Sequence, residues 1–133
     1  MIGLDTNVVV RYLVQDDPEQ SAAATAVVEV LTENNPGFLS LVTVVELYWV
    51  LRRAYRVSDD RCAELVAGLL DARELRVDQA PTVRAALVTR RHGADFPDAL
   101  IAELGRVAGC DHTLTFDRRA GQLDAMRILD PAP

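Results

Sequence analysis

The amino-acid sequence predicts an α/β protein, in which a parallel sheet of about five strands carries helices on both faces. Short apolar runs alternate with longer helical patterns along the whole chain, which is typical of such a sheet. The chain has 133 residues, 50% of them hydrophobic, which is enough for one compact domain and short for two. It contains no repeat, linker or low-complexity tract, so residues 1–133 are predicted to form one domain.

The chain opens with an apolar run, Ile2 to Leu4, which predicts a buried first strand. The next three residues, 5–7, are Asp, Thr and Asn, all of which are common helix N-caps. A short helix is therefore expected over residues 8–14. A second helix is predicted to begin at Pro18, because Asp17 can cap it and proline suits the first helical position.

The middle of the chain continues the alternation. Residues 38–40 predict a second strand, and Thr43 opens a helix that runs to about Tyr55. Ser58 is predicted to cap the next helix, whose apolar face lies between Cys62 and Leu70. Residues 75–77 then form a short strand at an edge of the sheet.

The last third adds two helices and two strands. One helix is predicted from Pro81 to about His92, and a second begins around Asp95 and stops at Gly109, where glycine suits a helix end. Residues 112–116 predict a fourth strand and residues 128–129 a fifth.

Twenty acidic and fourteen basic residues give a formal net charge of −6, which argues against a non-specific nucleic-acid coat. A nuclease is not excluded, because divalent cations would offset an acidic pocket. Cys62 and Cys110 form no C-x-x-C pair, so they are expected to be free thiols in a reducing cytosol, although a disulfide stays open. With no membrane-spanning run and no signal peptide, the protein is expected in the cytoplasm.

Four acidic residues each lie at or just inside a predicted helix start: Asp5, Glu46, Asp98 and Asp117. Helices that follow parallel strands begin at the same edge of the sheet, so these carboxylates are expected to converge there and repel one another. The helix dipoles offset only about 0.3 to 1 kcal/mol each. Either the acids take up protons, with raised pKa values, or a cation joins them.

Helix capping is the alternative explanation for the same acids. Asp5 and Asp117 fit N-caps, and Glu46 fits a capping box with Thr43, while Asp98 fits a partner of a capping Asp95. A metal is favoured for Glu46, because its neighbours three and four positions along the helix are mainly apolar and a carboxylate among them needs a partner. Oxygen ligands select Mg²⁺ or Mn²⁺ over Zn²⁺, and His92 and His112, twenty residues apart, fit surface or loop positions better than ligands.

Four motifs, in chain order, carry a family resemblance: Leu4-Asp5-Thr6-Asn7, the helical segment 46–51, the segment 94–102 and the segment 114–118. Through them the chain resembles the PIN-domain ribonucleases, and among these the VapC-type toxins of bacterial toxin–antitoxin pairs, over nearly its whole length. The resemblance implies a PIN-like domain that hydrolyses RNA phosphodiesters with a metal-activated water.

By this resemblance the catalytic and metal-binding acids are Asp5, Glu46, Asp98 and Asp117, which would hold one or two Mg²⁺ or Mn²⁺ ions. Supporting roles fall to Thr6, Asn7, Asp95 and Thr115. The resemblance also implies an antitoxin protein as partner, a transfer or ribosomal RNA as substrate, and a homodimer. Apolar faces around residues 42–51 and 62–70 are candidate dimer surfaces, and each fits the core equally well.

Arginines are the only candidates for contacts with an RNA backbone, because the chain has no lysine. Each is alternatively a solvated surface charge. The candidates are Arg11, Arg52, Arg53, Arg90, Arg91, Arg118 and Arg119.

The missing lysine also argues against three other α/β classes. A phospho-receiver domain, a P-loop nucleotide binder and a haloacid-dehalogenase-like phosphatase each need one near the site, and the phosphatase also needs an aspartate where Asn7 stands. The main alternative is a catalytically silent PIN-like module that binds RNA or protein; a DNA substrate is a weaker one. The silent module predicts that Asp98→Asn leaves the biological effect unchanged.

Overall fold

The computed structural model of the protein describes residues 1–131. Their contacts group into two compact units, Met1–Ala80 and a second that begins at Pro81. The predicted α/β class is confirmed, with six α-helices and five short parallel strands among the described residues. The prediction that the whole chain forms one domain stays a prediction.

The first unit holds three strands and four helices, which follow one another as β1 (Ile2–Gly3), α1 (Thr6–Val14), α2 (Pro18–Glu29), β2 (Gly37–Leu39), α3 (Leu41–Arg53), α4 (Asp59–Asp71) and β3 (Leu75–Val77). Its strands form a parallel sheet in the order β1-β2-β3. Helix α1 packs against α2 and α3, and α3 packs against α4. The core between these elements is apolar, and Leu39, Leu47 and Leu51 are fully buried in it.

The second unit contains α5 (Ala80–Thr89), α6 (Phe96–Ala108), β4 (Thr113–Thr115) and β5 (Met126–Ile128). The two strands pair in parallel and form a sheet of their own. Helix α6 begins at the Asp95 cap and ends at Gly109, whose φ of 93° only glycine adopts readily. Phe96 and Leu100 bury the inner face of α6.

The single sheet of about five strands is not confirmed, because the described strands divide into a three-stranded and a two-stranded sheet. Strands of two or three residues make few ladder hydrogen bonds, and their sequences do not determine which strands lie side by side. The predicted burial of the first apolar run is confirmed for Leu4, which is 8% exposed, and wrong for Ile2. Ile2 is 48% exposed, because β1 is the end strand of its sheet and pairs only with β2.

The cap of α3 lies three residues earlier than predicted. Ser40 Oγ accepts a hydrogen bond of 3.1 Å from the Thr43 backbone N–H, so the helix begins at Leu41. Thr43 is buried in the first turn of α3. It is not the N-cap and forms no capping box with Glu46. The capping box predicted for Thr43 and Glu46 is therefore wrong.

We expect Ser40→Ala to destabilise the protein by about 1 kcal/mol, since it removes the acceptor of one orphan N–H of α3. Urea unfolding followed by circular dichroism measures the change. Ser40→Asp, which keeps an accepting oxygen, should retain most of the stability. An unchanged midpoint for Ser40→Ala would show that the cap contributes nothing.

Within residues 1–131 neither cysteine forms a disulfide; Cys62 is buried and Cys110 is exposed. No helix among residues 1–131 combines the length and hydropathy needed to cross a bilayer.

Candidate functional site

Asp5 caps α1 and remains exposed. The residue is extended, with ψ of 159°, and its Oδ1 accepts a hydrogen bond of 2.8 Å from the Thr6 backbone N–H. The capping explanation is thus correct for Asp5. The contact uses only Oδ1, and no other hydrogen bond to this carboxylate is present within residues 1–131. The cap therefore fixes the carboxylate and leaves Oδ2 available.

Glu46 lies in the second turn of α3 and is tied to the start of α1. Its Oε1 accepts a hydrogen bond of 2.8 Å from the Thr6 hydroxyl, and Thr6 is only 9% exposed. Glu46 itself is exposed, so the expectation that its carboxylate needs a partner because of apolar surroundings is not supported. Asp5 precedes Thr6 in the chain. The hydrogen bond from Thr6 therefore holds Glu46, which belongs to α3, close to Asp5.

Asp95 and Asp98 occupy the start of α6 in the second unit. Asp95 is the N-cap, and its Oδ1 accepts a hydrogen bond of 3.1 Å from the Asp98 backbone N–H. Asp98 follows in the first turn and is half-buried. The predicted helix start, with Pro97 in its first turn, is confirmed.

Asp117 follows β4 and organises the turn after it. Its backbone N–H donates to Thr115 Oγ1 at 3.0 Å, and its Oδ1 accepts from the backbone N–H groups of Arg119 at 2.8 Å and Ala120 at 3.3 Å. The side chain is exposed. Asp117 thus behaves as a turn cap, with Oδ2 making no hydrogen bond to the described part of the chain.

The acids of the second unit share an excess of negative charge. The pKa of Asp98 is raised from its usual 3.8 to about 6 by burial first, then by the charge of Asp95 and a hydrogen bond with it, and to a smaller extent by the charge of Asp117. Arg119 acts in the opposite direction, and it is held by a hydrogen bond of 3.1 Å from its Nε to the Gly93 carbonyl. A bound cation would stabilise the Asp98 carboxylate that these neighbours disfavour.

The donor chemistry fits Mg²⁺ or Mn²⁺, because every candidate ligand is a carboxylate oxygen. Among residues 1–131, no three His, Cys, Asp or Glu side chains are close enough together to hold a metal ion. Burial, and after it the charges of Asp95 and Asp117, raise the pKa of Asp98, and a cation beside this carboxylate would offset these effects.

The arginines proposed for RNA contact differ in their surroundings. Arg52 donates to the Val57 carbonyl at 3.2 Å, and the Arg53 guanidinium lies 3.9 Å from the centroid of the Trp49 ring. Trp49 is 40% exposed, so this stack forms part of the surface of α3. Arg118 and Arg119 are exposed beside Asp117. The Trp49–Arg53 stack was missed from the sequence, although its i,i+4 helical spacing was a usable signal.

Arg11 is held by a network that the sequence did not reveal. Its Nε donates to Gln20 Oε1 at 2.7 Å, and its Nη1 donates to Asp16 Oδ1 at 3.2 Å and to the Tyr55 hydroxyl at 2.8 Å. The Tyr55 hydroxyl in turn donates to Asp16 Oδ2 at 2.8 Å. Arg11 therefore has a fixed position, and it is not a mobile surface charge.

Comparison with known families gives one match: the family described as PIN domain covers residues 2–126. The match includes all four predicted acids and spans both units. No curated protein matches the chain.

Proposed function

Since the chain belongs to the PIN-domain family, whose members are generally metal-dependent nucleases, we propose that it is an Mg²⁺- or Mn²⁺-dependent endoribonuclease. One geometric observation carries the proposal. Asp5, Glu46 and Asp117 are each anchored through one carboxylate oxygen, and the other oxygen makes no hydrogen bond within the described residues. Carboxylates fixed in this way are suited to bind hard cations.

The residues that would hold the metal are Asp5, Glu46, Asp98 and Asp117. Thr6 orients Glu46, Asp95 begins the helix that carries Asp98, and Thr115 accepts from the backbone of Asp117. When bound, divalent cations supply a water of lowered pKa and neutralise charge on the phosphodiester. The protein contributes ionised carboxylates in fixed positions, and no side chain needs to act as a covalent nucleophile.

The toxin role, the antitoxin partner and the cytoplasmic location are parts of the same proposal, and the VapC-like motifs support them. A homodimer is proposed as well. The α3 surface supports it, because Val42 is 67% and Trp49 is 40% exposed. The alternative face at residues 62–70 is less suitable, since Cys62, Val66 and Leu69 are buried.

The chemistry of the cut ends tests the proposed hydrolysis. Attack by water with a leaving 3′ oxygen gives a 5′-phosphate and a 3′-hydroxyl, and total RNA incubated with the purified protein and Mg²⁺ should show both. Ends that carry a 2′,3′-cyclic phosphate would contradict the proposal, because they require attack by the RNA's own 2′-hydroxyl. Mapping the ends also tests transfer and ribosomal RNA as substrates.

We expect Thr6→Val to lower cleavage about tenfold and to raise the Mg²⁺ concentration needed for half-maximal activity, because groups that orient ligands affect metal affinity by about 10- to 100-fold. Thr6 donates the only hydrogen bond found on Glu46 among the described residues, and valine has nearly the same shape. Thr6→Ser, which keeps the hydroxyl, should restore activity. An Mg²⁺ requirement equal in all three proteins would limit Thr6 to a structural role.

A further inference from the structure

We propose that a pocket between α1 and α2 binds one unstacked base of the RNA and thereby contributes to the choice of cleavage site. The pocket has a volume of about 280 Å³ and lies wholly within the first unit. Val8, Ala23 and Val27 give it an apolar wall, and Asn7, Arg11 and Gln20 give it a polar edge. The inference rests on the proposed nuclease function.

The pocket lies near Asp5 along the start of α1. Asn7, which lines it, lies two residues after Asp5 in the first turn of α1. Two helical residues rise by about 3 Å, so the backbone of Asn7 lies within one turn of Asp5, although side chains two positions apart on a helix do not face each other. A nucleotide whose phosphate is held near Asp5 would place its base around the start of α1, in the pocket.

The polar edge of the pocket has hydrogen-bonding capacity to spare. Within residues 1–131 neither the Asn7 amide nor Arg11 Nη2 makes a hydrogen bond, whereas Arg11 Nε and Nη1 are fully engaged. The engaged nitrogens keep the guanidinium in place, so its remaining N–H groups have a defined direction. Fixed polar groups at the rim of an apolar cavity are typical of a ligand site.

The chemistry of this edge favours a base over other ligands. Arginine, asparagine and glutamine are the side chains that pair with base edges, and unstacked RNA bases are commonly read in this way. A free phosphate is disfavoured, because Asp16 lies 3.2 Å from Arg11 and offsets its charge. A cation is disfavoured by the guanidinium itself.

The test fills the pocket without touching the acids. Ala23 is exposed and lines the pocket, so Ala23→Leu would occupy the space that a base needs. Ala22→Leu is the matched control, because Ala22 is exposed on the same helix and does not line the pocket. Leucine is a good helix former, so both variants should fold. The measurement is the base frequency at each position around the cuts that each protein makes in total RNA.

We expect wild type and Ala22→Leu to prefer the same base at one position beside the cut. Ala23→Leu should reduce that preference about tenfold and slow cleavage at the preferred sites. Equal preferences in Ala23→Leu and wild type, with cleavage intact, would overturn the pocket and leave the nuclease standing.

A binding measurement separates failure of the pocket from failure of the nuclease. Fluorescence anisotropy would compare hexanucleotides of A, C, G or U with each protein in EDTA. Base-selective binding that is lost only in Ala23→Leu supports the pocket even if the protein never cuts RNA. Absence of both cleavage and base-selective binding would overturn the inference, as would binding of a peptide, but of no RNA, that Ala23→Leu blocks.

Discussion

Asp98→Asn is expected to reduce RNA cleavage by about 100-fold or more, to the level left when EDTA removes the metal, while the protein stays folded. Residues that only orient metal ligands already affect affinity by about 10- to 100-fold, so loss of a ligand carboxylate should have at least that effect. Asp98 carries the strongest indication of a cation among the acids, because burial and the charges of Asp95 and Asp117 raise its pKa and a cation would offset them.

The same substitution should not destabilise the protein at pH 7. The pKa of Asp98 is raised in the folded state to about 6, so its charged form disfavours folding above that pH. Asparagine removes the charge, and Asp98 is partly solvated, so a gain of up to about 1 kcal/mol is the expected scale. A variant that is inactive and at least as stable as wild type would separate a role in the site from a role in the fold.

Cleavage of total RNA at pH 7 with Mg²⁺ and urea unfolding at pH 7 without metal measure the two effects. Asp111→Asn is the matched control, because Asp111 is an exposed acid of the second unit. It should leave cleavage and stability unchanged. Full cleavage by Asp98→Asn would refute the role of Asp98, which would then be only a residue of the first turn of α6.

Local signals in the sequence predicted most helix ends correctly. Asp17, Ser58 and Asp95 each cap the helix that was expected to start there, and Gly109 ends α6. These signals work because a cap satisfies backbone groups within three residues of itself, so the information lies in neighbouring positions. Ser40 shows the limit of the method. Thr43 matched a capping pattern as well, and only the structure reveals which hydroxyl reaches the N–H.

Contacts between residues far apart in the chain could not be predicted from the sequence. The acids themselves were found from their positions at helix starts and from the family motifs, but the bond from Thr6 to Glu46 joins residues 40 positions apart. The Arg11 network likewise joins α1 to Tyr55, 44 positions away. No local rule fixes such contacts, because they depend on how α1 packs against α3. The division of the strands into two sheets was missed for the same reason.

Acidity is expected to inhibit cleavage through Asp98, and metal should reverse the inhibition. Burial and the charge of Asp95 raise the pKa of Asp98 to about 6. The carboxylate form therefore makes up roughly nine-tenths of the population at pH 7 and roughly one-tenth at pH 5. Because ligands bind metal deprotonated, activity at limiting Mg²⁺ should fall about tenfold over this range, and higher Mg²⁺ should restore it.

As the pH rises towards 6, the contribution of Asp98 to stability should fall while activity rises. A carboxyl whose pKa is raised on folding binds more protons in the folded than in the unfolded state, so the contribution of Asp98 to stability decreases as the pH rises from about 4 to about 6. Without metal, Asp98→Asn should remove that decrease from the urea unfolding profile. A loss of activity below pH 6 that merely tracked unfolding would have a different cause.

Asp95→Asn provides the decisive comparison for the pH effect. Asparagine also caps helices, so α6 should still form, but the negative charge beside Asp98 is gone. The pKa of Asp98 should fall, and the pH midpoint of cleavage at limiting Mg²⁺ should move downward with it. If the midpoint stayed the same in Asp95→Asn and did not respond to Mg²⁺ in wild type, a group other than Asp98 would control the acid limb. Asp95 would then serve only as a cap, whereas a shifted midpoint would show that its charge sets the proton affinity of the proposed metal ligand.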